Sequence, residues 1–443
     1  MNALRIGLVG LGTVGTSVWN NLRSQEELLS RRCGKALRIE KVAEKDRERA
    51  REAGVPESQW TSDWRDLALD PSLDVVVELI GGTGIAADLI RESLFHGKDV
   101  VTANKALLAE RGKELTAFAA ERGRRLLFEA SVAGGIPLLL ALREGLIANE
   151  ILSLHGIING TCNYLLSAMA SRSLPYREAL REAKELGYAE ADETLDVAGH
   201  DTAHKAVLLS ALAYGFWPRL EEVHTEGIQH IDPLDLHFAQ ELGYSLKLLA
   251  ILRSHPTRGE IEVRVHPTLL RKGHLLSSVS GVFNAVAVWG DVVGETLFYG
   301  RGAGGDPTSS AVLSDLASLA SGEVSAREVT SSSVRQAALS LRPMARIFSR
   351  YYVRFLVEDR PGVLAEIARV FAAEKISISS VIQPEGHRGK TVPLIVPLIV
   401  LLHRSREADV QRACRIIETL PTVKEPAILL RVEDLEPEEE QAS

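Results

Sequence analysis

Near the amino terminus a strand-like run, Leu4-Arg-Ile-Gly-Leu-Val9, ends in Gly10-Leu-Gly12-Thr13-Val14-Gly15 and passes into a helical pattern from Thr16. No other feature narrows the possible folds so far. In a strand–turn–helix setting Gly10 permits the tight turn, Gly12 lets a pyrophosphate approach the backbone, and Gly15 lets the helix sit close on the strand. The helix start then offers unpaired N–H groups and a partial positive charge to phosphates. A glycine-rich turn without a ligand is the plainer reading, but the position between strand and helix favours a dinucleotide.

The pattern repeats. Leu37–Ala43 reads as a second strand, ending in Glu44-Lys-Asp46-Arg47. A third, Leu73–Ile80, runs into Gly81-Gly-Thr-Gly84; a fourth, Lys98–Thr102, into Ala103-Asn104-Lys105; and a fifth, Arg125–Glu129, into Ala130-Ser-Val-Ala-Gly-Gly-Ile-Pro137. Strands alternating with helices predict an α/β fold with a doubly wound parallel sheet of the Rossmann type. Ligands of such sheets lie at the carboxyl ends of the strands, where Thr102, Lys105 and Glu129 fall. Lys105 is there either a phosphate or substrate contact or a surface lysine. An acid after the second strand favours NAD and an arginine favours NADP. Both types are present, so the preference stays open.

The chain has 443 residues, enough for about two to three domains. Its net charge of −8, with no basic cluster, argues against a nucleic-acid partner. Cys33, Cys162 and Cys414 form no C-x-x-C pair, which points to reduced thiols in a cytoplasmic protein. The strand at Leu4 leaves no room for a signal peptide. Val392–Leu402 is too short to cross a membrane and carries two prolines.

From Glu150 the pattern becomes α+β, with strand-like runs at Ile151–Ile158, Ser245–Leu252, Glu260–Val265 and Asn284–Trp289, and helices over about 175–187 and 197–214. Glu190, Asp192, Asp196, Asp201 and Lys205 crowd one span. Asp201 and Lys205 are one helical turn apart, and the sequence beyond is apolar. A lysine at such a threshold can exchange a proton with a substrate oxygen. An ordinary helical ion pair is the alternative. Asp196, His200 and His204 are also four apart, like metal ligands, yet they span two turns and cannot converge on one ion. Cys162, at a helix start, could be a nucleophile activated by the helix dipole or a packed, inert thiol. Arg301-Gly-Ala-Gly-Gly-Asp-Pro-Thr308 precedes a helix expected to return to the nucleotide domain.

After a Ser-rich linker (322–346) the order strand, helix, strand, strand, helix, strand reads as ferredoxin-like. Val392-Pro-Leu-Ile-Val-Pro-Leu-Ile399 is a tandem duplication whose second proline would cost a ladder bond unless the strand is an edge or bulged. Residues 433–443 are acidic and polar and are expected to be a disordered tail.

These motifs together resemble homoserine dehydrogenase. The similarity runs through Gly10–Gly15, Val101-Thr-Ala-Asn-Lys105, Glu129–Pro137, Gly156-Ile-Ile-Asn-Gly-Thr-Cys-Asn-Tyr164, Glu185-Leu-Gly-Tyr-Ala-Glu-Ala-Asp192 and Leu195-Asp-Val-Ala-Gly-His-Asp-Thr-Ala-His-Lys205. The resemblance implies reversible hydride transfer between L-homoserine and L-aspartate 4-semialdehyde with NAD or NADP. It implies Lys205 as proton donor and acceptor, helped by Asp201 and Lys105. Substrate contacts would come from Glu190, Asp196, Asp201 and Lys105. Cofactor contacts would come from Gly10, Gly12, Thr13, Val14, Gly15, Thr102, Lys105, Gly187, Gly302 and Gly304. A sodium ion is implied on Glu129 and the carbonyls of Val132, Gly134 and Ile136. The strand–Asp-Arg-Pro-Gly–helix start at 359–362 and Ser380-Val-Ile-Gln383 resemble an ACT domain, implying control by an amino acid, with L-threonine as leading candidate, and a homo-oligomer, dimer or tetramer. The expected domains are 1–130 (completed by 303–325) for the nucleotide, 131–302 for substrate and dimerisation, and 350–432 for regulation.

Overall fold

The computed structural model describes residues 3–190, 192–322, 339–384 and 394–435. Six strands form the first sheet: β1 (Leu4–Val9), β2 (Leu37–Ala43), β3 (Trp60–Thr61), β4 (Val75–Glu78), β5 (Asp99–Thr102) and β6 (Leu126–Leu127). Their order is β3-β2-β1-β4-β5-β6 and every pairing is parallel. Helices cover both faces, which is why Ile6, Leu8, Val75, Val76, Val77, Val100 and Val101 are all fully buried without alternation. The strand order reverses between β1 and β4, and that switch opens a crevice at their carboxyl ends. The third expected strand is shorter than its apolar run, and the two-residue β3 carries too little pattern to read.

The Gly305–Ser321 helix, remote in sequence, buries Val312 and Leu316 in the same core as Val18 and Leu22. Asn21 donates to Ser309 Oγ (2.7 Å) and Asp306 Oδ1 (3.1 Å), pinning that helix to the one that follows the glycine turn.

The second sheet contains β7 (Ile151–Ile157), β8 (His224–Thr225), β9 (Tyr244–His255), β10 (Glu260–Arg271), β11 (Phe283–Gly290), β12 (Gly294–Arg301), β13 (Ser340–Leu341), β14 (Phe348–Glu358), β15 (Ile378–Ile382), β16 (Ile395–Arg406) and β17 (Ile428–Glu433). Its main path runs β12-β11-β7-β9-β10-β17-β14-β16-β15, with β8 and β13 also on β10. The carboxy-terminal module supplies β17-β14-β16-β15, with the Val363–Ala373 and Glu407–Glu418 helices between, in ferredoxin-like order. It is fused to the substrate sheet, because β17 pairs in parallel with β10, Thr268 opposite Arg431 and Leu270 opposite Glu433.

Three expectations change here. The expected disordered tail starts too early: Glu433 ends β17 and is 4% exposed, because Arg253 and Arg264 bind its carboxylate (3.0 Å to Arg264) and His155 lies at 3.5 Å. Residues 436–443 lie outside the described residues, as do 323–338 of the expected linker. In the described part of that linker, Ser340 and Leu341 lie beside Glu260 and Ile261 of β10. Of the duplication, Val392 and Pro393 lie outside the described residues, and Pro397 is accommodated without a bulge. The carbonyl of its partner Leu356 turns away to accept Lys424 N (2.8 Å), so the pair is a non-hydrogen-bonded one. The nitrogen of Pro397 therefore faces the side where β15 has already ended, at Ile382 opposite Ile399.

Candidate active site

At the crevice the glycine turn has the shape its sequence implied. Gly10 has φ +96°, and a side chain there would meet Leu79 O at 2.8 Å. A Cβ on Gly15 would lie 2.0 Å from Gly10 O, so the helix can seat on the turn only with glycine. Above Gly12 nothing lies within 4 Å, which leaves its backbone open to a ligand. Thr13 and Val14 begin the Thr13–Ser24 helix. A cavity of ≈ 330 Å³ beside it is lined by Gly10, Gly12, Glu44, Lys45, Arg49 and Ser62 among others. The Glu44 carboxylate accepts from Leu11 N (2.8 Å) and Asp46 N (3.0 Å). Gly302 and Gly304 precede the Gly305–Ser321 helix. Gly302 leaves no room for a Cβ against Asn284, and Gly305 is packed on Ser17 and Thr13 O.

Sequence reading missed Glu78. Its buried carboxylate accepts from Ile80 N (2.9 Å), Gly81 N (3.1 Å) and Thr102 Oγ1 (2.6 Å). Burial pushes its carboxyl up, against those hydrogen bonds. Thr102 Oγ1 in turn accepts Asn104 N (3.0 Å), and Asn104 caps the Lys105–Glu121 helix through Leu107 N (3.2 Å). An acid ending an otherwise apolar strand, just before a glycine pair, was the available signal.

Opposite the nucleotide crevice lies a compact polar cluster. Asp201, 6% exposed, holds Lys205 Nζ on Oδ2 (2.7 Å) and Lys105 Nζ at 3.1 Å from Oδ1. Asn159 donates to Asp201 Oδ2 (2.9 Å) and Asp196 Oδ1 (2.7 Å), while its own oxygen caps the Gly160–Arg172 helix at Cys162 N (2.8 Å). Lys205 Nζ also donates to Ile158 O (2.7 Å). Burial drives the Asp201 carboxyl up, but Lys205, Lys105 and the hydrogen bonds outweigh it and hold the group well below the usual carboxylate range. Asp201 raises the Lys105 ammonium above its ordinary value, and burial opposes this. The site therefore joins Lys105 from the nucleotide half to Asp201 and Lys205 from the substrate half.

Asp196 does not share a face with His200 and His204. The expected 197–214 helix is broken: Thr194–Val197 and His200–Tyr214 meet at Gly199, whose φ of +84° stops the first. The turn aims Asp196 at Asn159 and at Thr161 Oγ1 (3.2 Å). Glu190 is exposed at the rim, and Gly187, with φ +73°, follows the Tyr176–Glu185 helix. Cys162 is fully buried and donates to Asp196 O (3.2 Å); burial, with Asp196 and Asp201, pushes its thiol well up, which disfavours a thiolate nucleophile.

The 129–137 loop packs on the Gly302 turn, through Gly135 N to Arg301 O (3.1 Å). Ala133 and Gly134 both take left-handed conformations, φ 57° and 50°. Among the described residues the buried Val132 and Gly134 carbonyls accept no hydrogen bond, which suits a hard cation. Ile136 O is engaged by Leu138 N (2.7 Å), and the Glu129 carboxylate accepts from Leu139 N (3.0 Å) and Leu140 N (2.7 Å). Burial pushes the Glu129 carboxyl up to about 7. Asp315, unforeseen from sequence, accepts Glu129 N (2.9 Å) and is pushed up to about 8 by burial and by Glu129.

The homoserine dehydrogenase family model matches residues 137–317, its NAD-binding domain residues 10–129, and the ACT domain residues 351–405. The homoserine dehydrogenase of Neisseria gonorrhoeae is 42% identical over 98% of this chain and 100% of its own length. The crystal structure of a homoserine dehydrogenase from Thiobacillus denitrificans is 41% identical, with a TM-score of 0.89 over 98% of this chain and 99% of that one. A hyperthermophilic archaeal homoserine dehydrogenase in complex with NADPH is 25% identical, with a TM-score of 0.60 over 71% of this chain and 97% of that one. The NAD-binding, homoserine dehydrogenase and ACT domains are thus matched within one set of relatives, and the chain belongs to the homoserine dehydrogenase family, oxidoreductases acting on an alcohol.

Proposed function

We propose that the chain interconverts L-homoserine and L-aspartate 4-semialdehyde in threonine, methionine and isoleucine biosynthesis, with Lys205 moving the proton. The observation that carries this is the Asp201 carboxylate bonded to both Lys205 and Lys105 where the two halves meet. A nicotinamide cofactor held on the Gly10–Gly15 turn would supply hydride transfer to and from the substrate carbon. As an ammonium, Lys205 spends two N–H groups on Ile158 O and Asp201 and keeps one for the substrate oxygen. In the reducing direction it donates that proton; in the oxidising direction the neutral amine accepts it. Asp201 and Ile158 fix its position, and Lys105 supports the same oxygen or the cofactor. Glu190 and Asp196 supply negative charge for the substrate ammonium.

Gly10, Gly12, Thr13, Val14 and Gly15 hold the pyrophosphate, with Thr102, Lys105, Gly187, Gly302 and Gly304 along the rest of the dinucleotide. Glu44 favours NAD, whereas Lys45 and Arg49 favour NADP, so acceptance of both is the reading proposed. A sodium ion on Val132, Gly134, Ile136 and Glu129 would brace the loop against the Gly302 turn. Domain limits of 1–130 with 303–325, 131–302 and 350–432 follow the sequence expectation, shifted by the inclusion of Glu433 in the last. The ACT module binds an amino acid, L-threonine first among candidates, at the Gly362 turn, where Gln383 donates to Asp359 (3.2 Å). The assembly is a cytoplasmic homo-oligomer, dimer or tetramer. Replacing Lys205 by Ala tests the central role: turnover should fall by at least about 100-fold. Near-wild-type turnover in folded Lys205→Ala protein would sink it.

A further inference from the structure

We infer that Arg431, in the last strand of the ACT module, is a positioning residue for the active site. It acts through Glu226 on the turn that presents Asp196 and Asp201, and the inference rests on the reading that those two acids hold the substrate and Lys205.

The path is short and closely packed. Arg431 is 1% exposed and makes a two-pronged bond to Glu407, the first residue of the Glu407–Glu418 helix, at 2.6 and 3.2 Å. Its remaining nitrogen donates to Glu226 Oε2 (2.5 Å). Tyr351 and Gln411 also bond Glu407, so the ACT end of the path is fixed from three sides. Glu226 belongs to the segment after β8 and is tied to β10 through Glu226 N to Val265 O (2.8 Å), with His224 on its other carboxylate oxygen (2.8 Å).

Two residues on, Ile228 N donates to Val197 O (2.8 Å), inside the break between the Thr194–Val197 and His200–Tyr214 helices. Backbones touch there without a gap. A Cβ on Gly227 would lie 2.2 Å from Val197 O, and one on Gly199 3.1 Å from Glu226 O. Asp196 precedes this contact by one residue and Asp201 follows Gly199 by two, so a shift of Glu226 moves both acids.

Removing Arg431 leaves the Glu226 and Glu407 carboxylates without their shared counter-charge. Glu226, with the more exposed side chain of the two, is the one that can swing outward. The displaced backbone then changes how the two acids meet Lys205 and the substrate, while the glycine turn of the nucleotide half is untouched. The regulatory module thereby contributes to the geometry of catalysis even without an effector.

The test uses the full chain carrying Arg431→Met, Arg431→Lys, Glu226→Gln or Asp201→Asn, each checked for folding by circular dichroism and assayed with L-homoserine. Arg431→Met should lower kcat/KM for homoserine about tenfold while the dinucleotide KM stays within about twofold. Arg431→Lys should recover part of the loss, and Arg431→Met with Glu226→Gln should be no worse than Arg431→Met alone. Should Arg431→Met fail to fold, Glu226→Gln carries the test, with the same selective loss expected. Wild-type kcat/KM in a folded Arg431→Met or Glu226→Gln protein overturns the inference, as does an equal loss for both substrates. A fully active Asp201→Asn protein overturns the underlying reading instead; an inactive one beside a normal Arg431→Met protein removes the positioning role alone.

Discussion

The two sheets of this molecule are held in different ways. The nucleotide sheet is six short parallel strands with a mainly apolar interior, the buried polar Glu78 and Thr102 sitting at strand ends, and each strand lies next to one close in sequence or one crossover away. The larger sheet joins β10 to β17, about 160 residues apart, and its junction is packed with ions: Arg253, Arg264, Glu262 and Glu433 are all under 10% exposed. In the first, backbone shape and hydrophobic burial decide the structure. In the second, buried charges must find their partners, since an unpaired one costs far more than a lost apolar contact.

The contrast breaks most easily at Glu433. Glu433→Ala removes the carboxylate that Arg253 and Arg264 share and should cost roughly 3–5 kcal/mol in urea unfolding. A cost near zero would mean that the junction is held by its apolar contacts. For the same reason, deleting the ACT module should destabilise the substrate domain, so an effector test is cleaner with point variants.

Acid should attack the same junction. Burial drives the Glu262 carboxyl up, but His255 and Arg264 overcome this and bring it from an ordinary 4.5 to about 2. A carboxyl lowered in the folded state stabilises the fold fully above its unfolded value and loses that contribution as pH falls from about 4.5 towards 2. Wild-type stability should drop across that window by on the order of 2–3 kcal/mol more than in Glu262→Gln, as followed by thermal melts at stepped pH.

The nucleotide half sharpens the contrast from the other side. Gly12→Ala adds a methyl into open space, so stability should change by less than about 0.5 kcal/mol. Dinucleotide affinity, read by fluorescence titration, should nevertheless fall about tenfold if the pyrophosphate sits there. Unchanged affinity would reduce the motif to a turn. Pro397→Val should be the mildest, within about 0.5 kcal/mol, because no ladder bond is at stake on the side its nitrogen faces.

This difference also decides what the sequence disclosed. The glycine turn, the strands of the first sheet other than β3 and the Asp201–Lys205 spacing were legible because each depends on local rules: positive φ, apolar runs and helical periodicity. Gly199 was misread, since a glycine within a helical pattern is tolerated or ends the helix according to what packs against it. Here that is the backbone of Glu226. Glu433 looked like the start of an acidic tail because its partners stand on β7, β9 and β10. Lys105 could be placed at the crevice, but its bond to Asp201 crosses between halves and has no signature in spacing. Asp315 was passed over for a similar reason, its partner Glu129 N being remote in sequence, whereas Glu78 did carry a local signal, an acid ending an apolar strand.

The most direct test is homoserine-dependent reduction of NAD and NADP, followed by absorbance, in wild-type and Lys205→Ala proteins side by side. The expected outcome is a clear wild-type rate with at least one cofactor and a loss of at least about 100-fold in the variant, with dinucleotide binding intact. Wild-type protein that binds the dinucleotide but shows no homoserine-dependent rate, or a folded variant that turns over normally, would contradict the proton-transfer role of Lys205 and the reaction built on it.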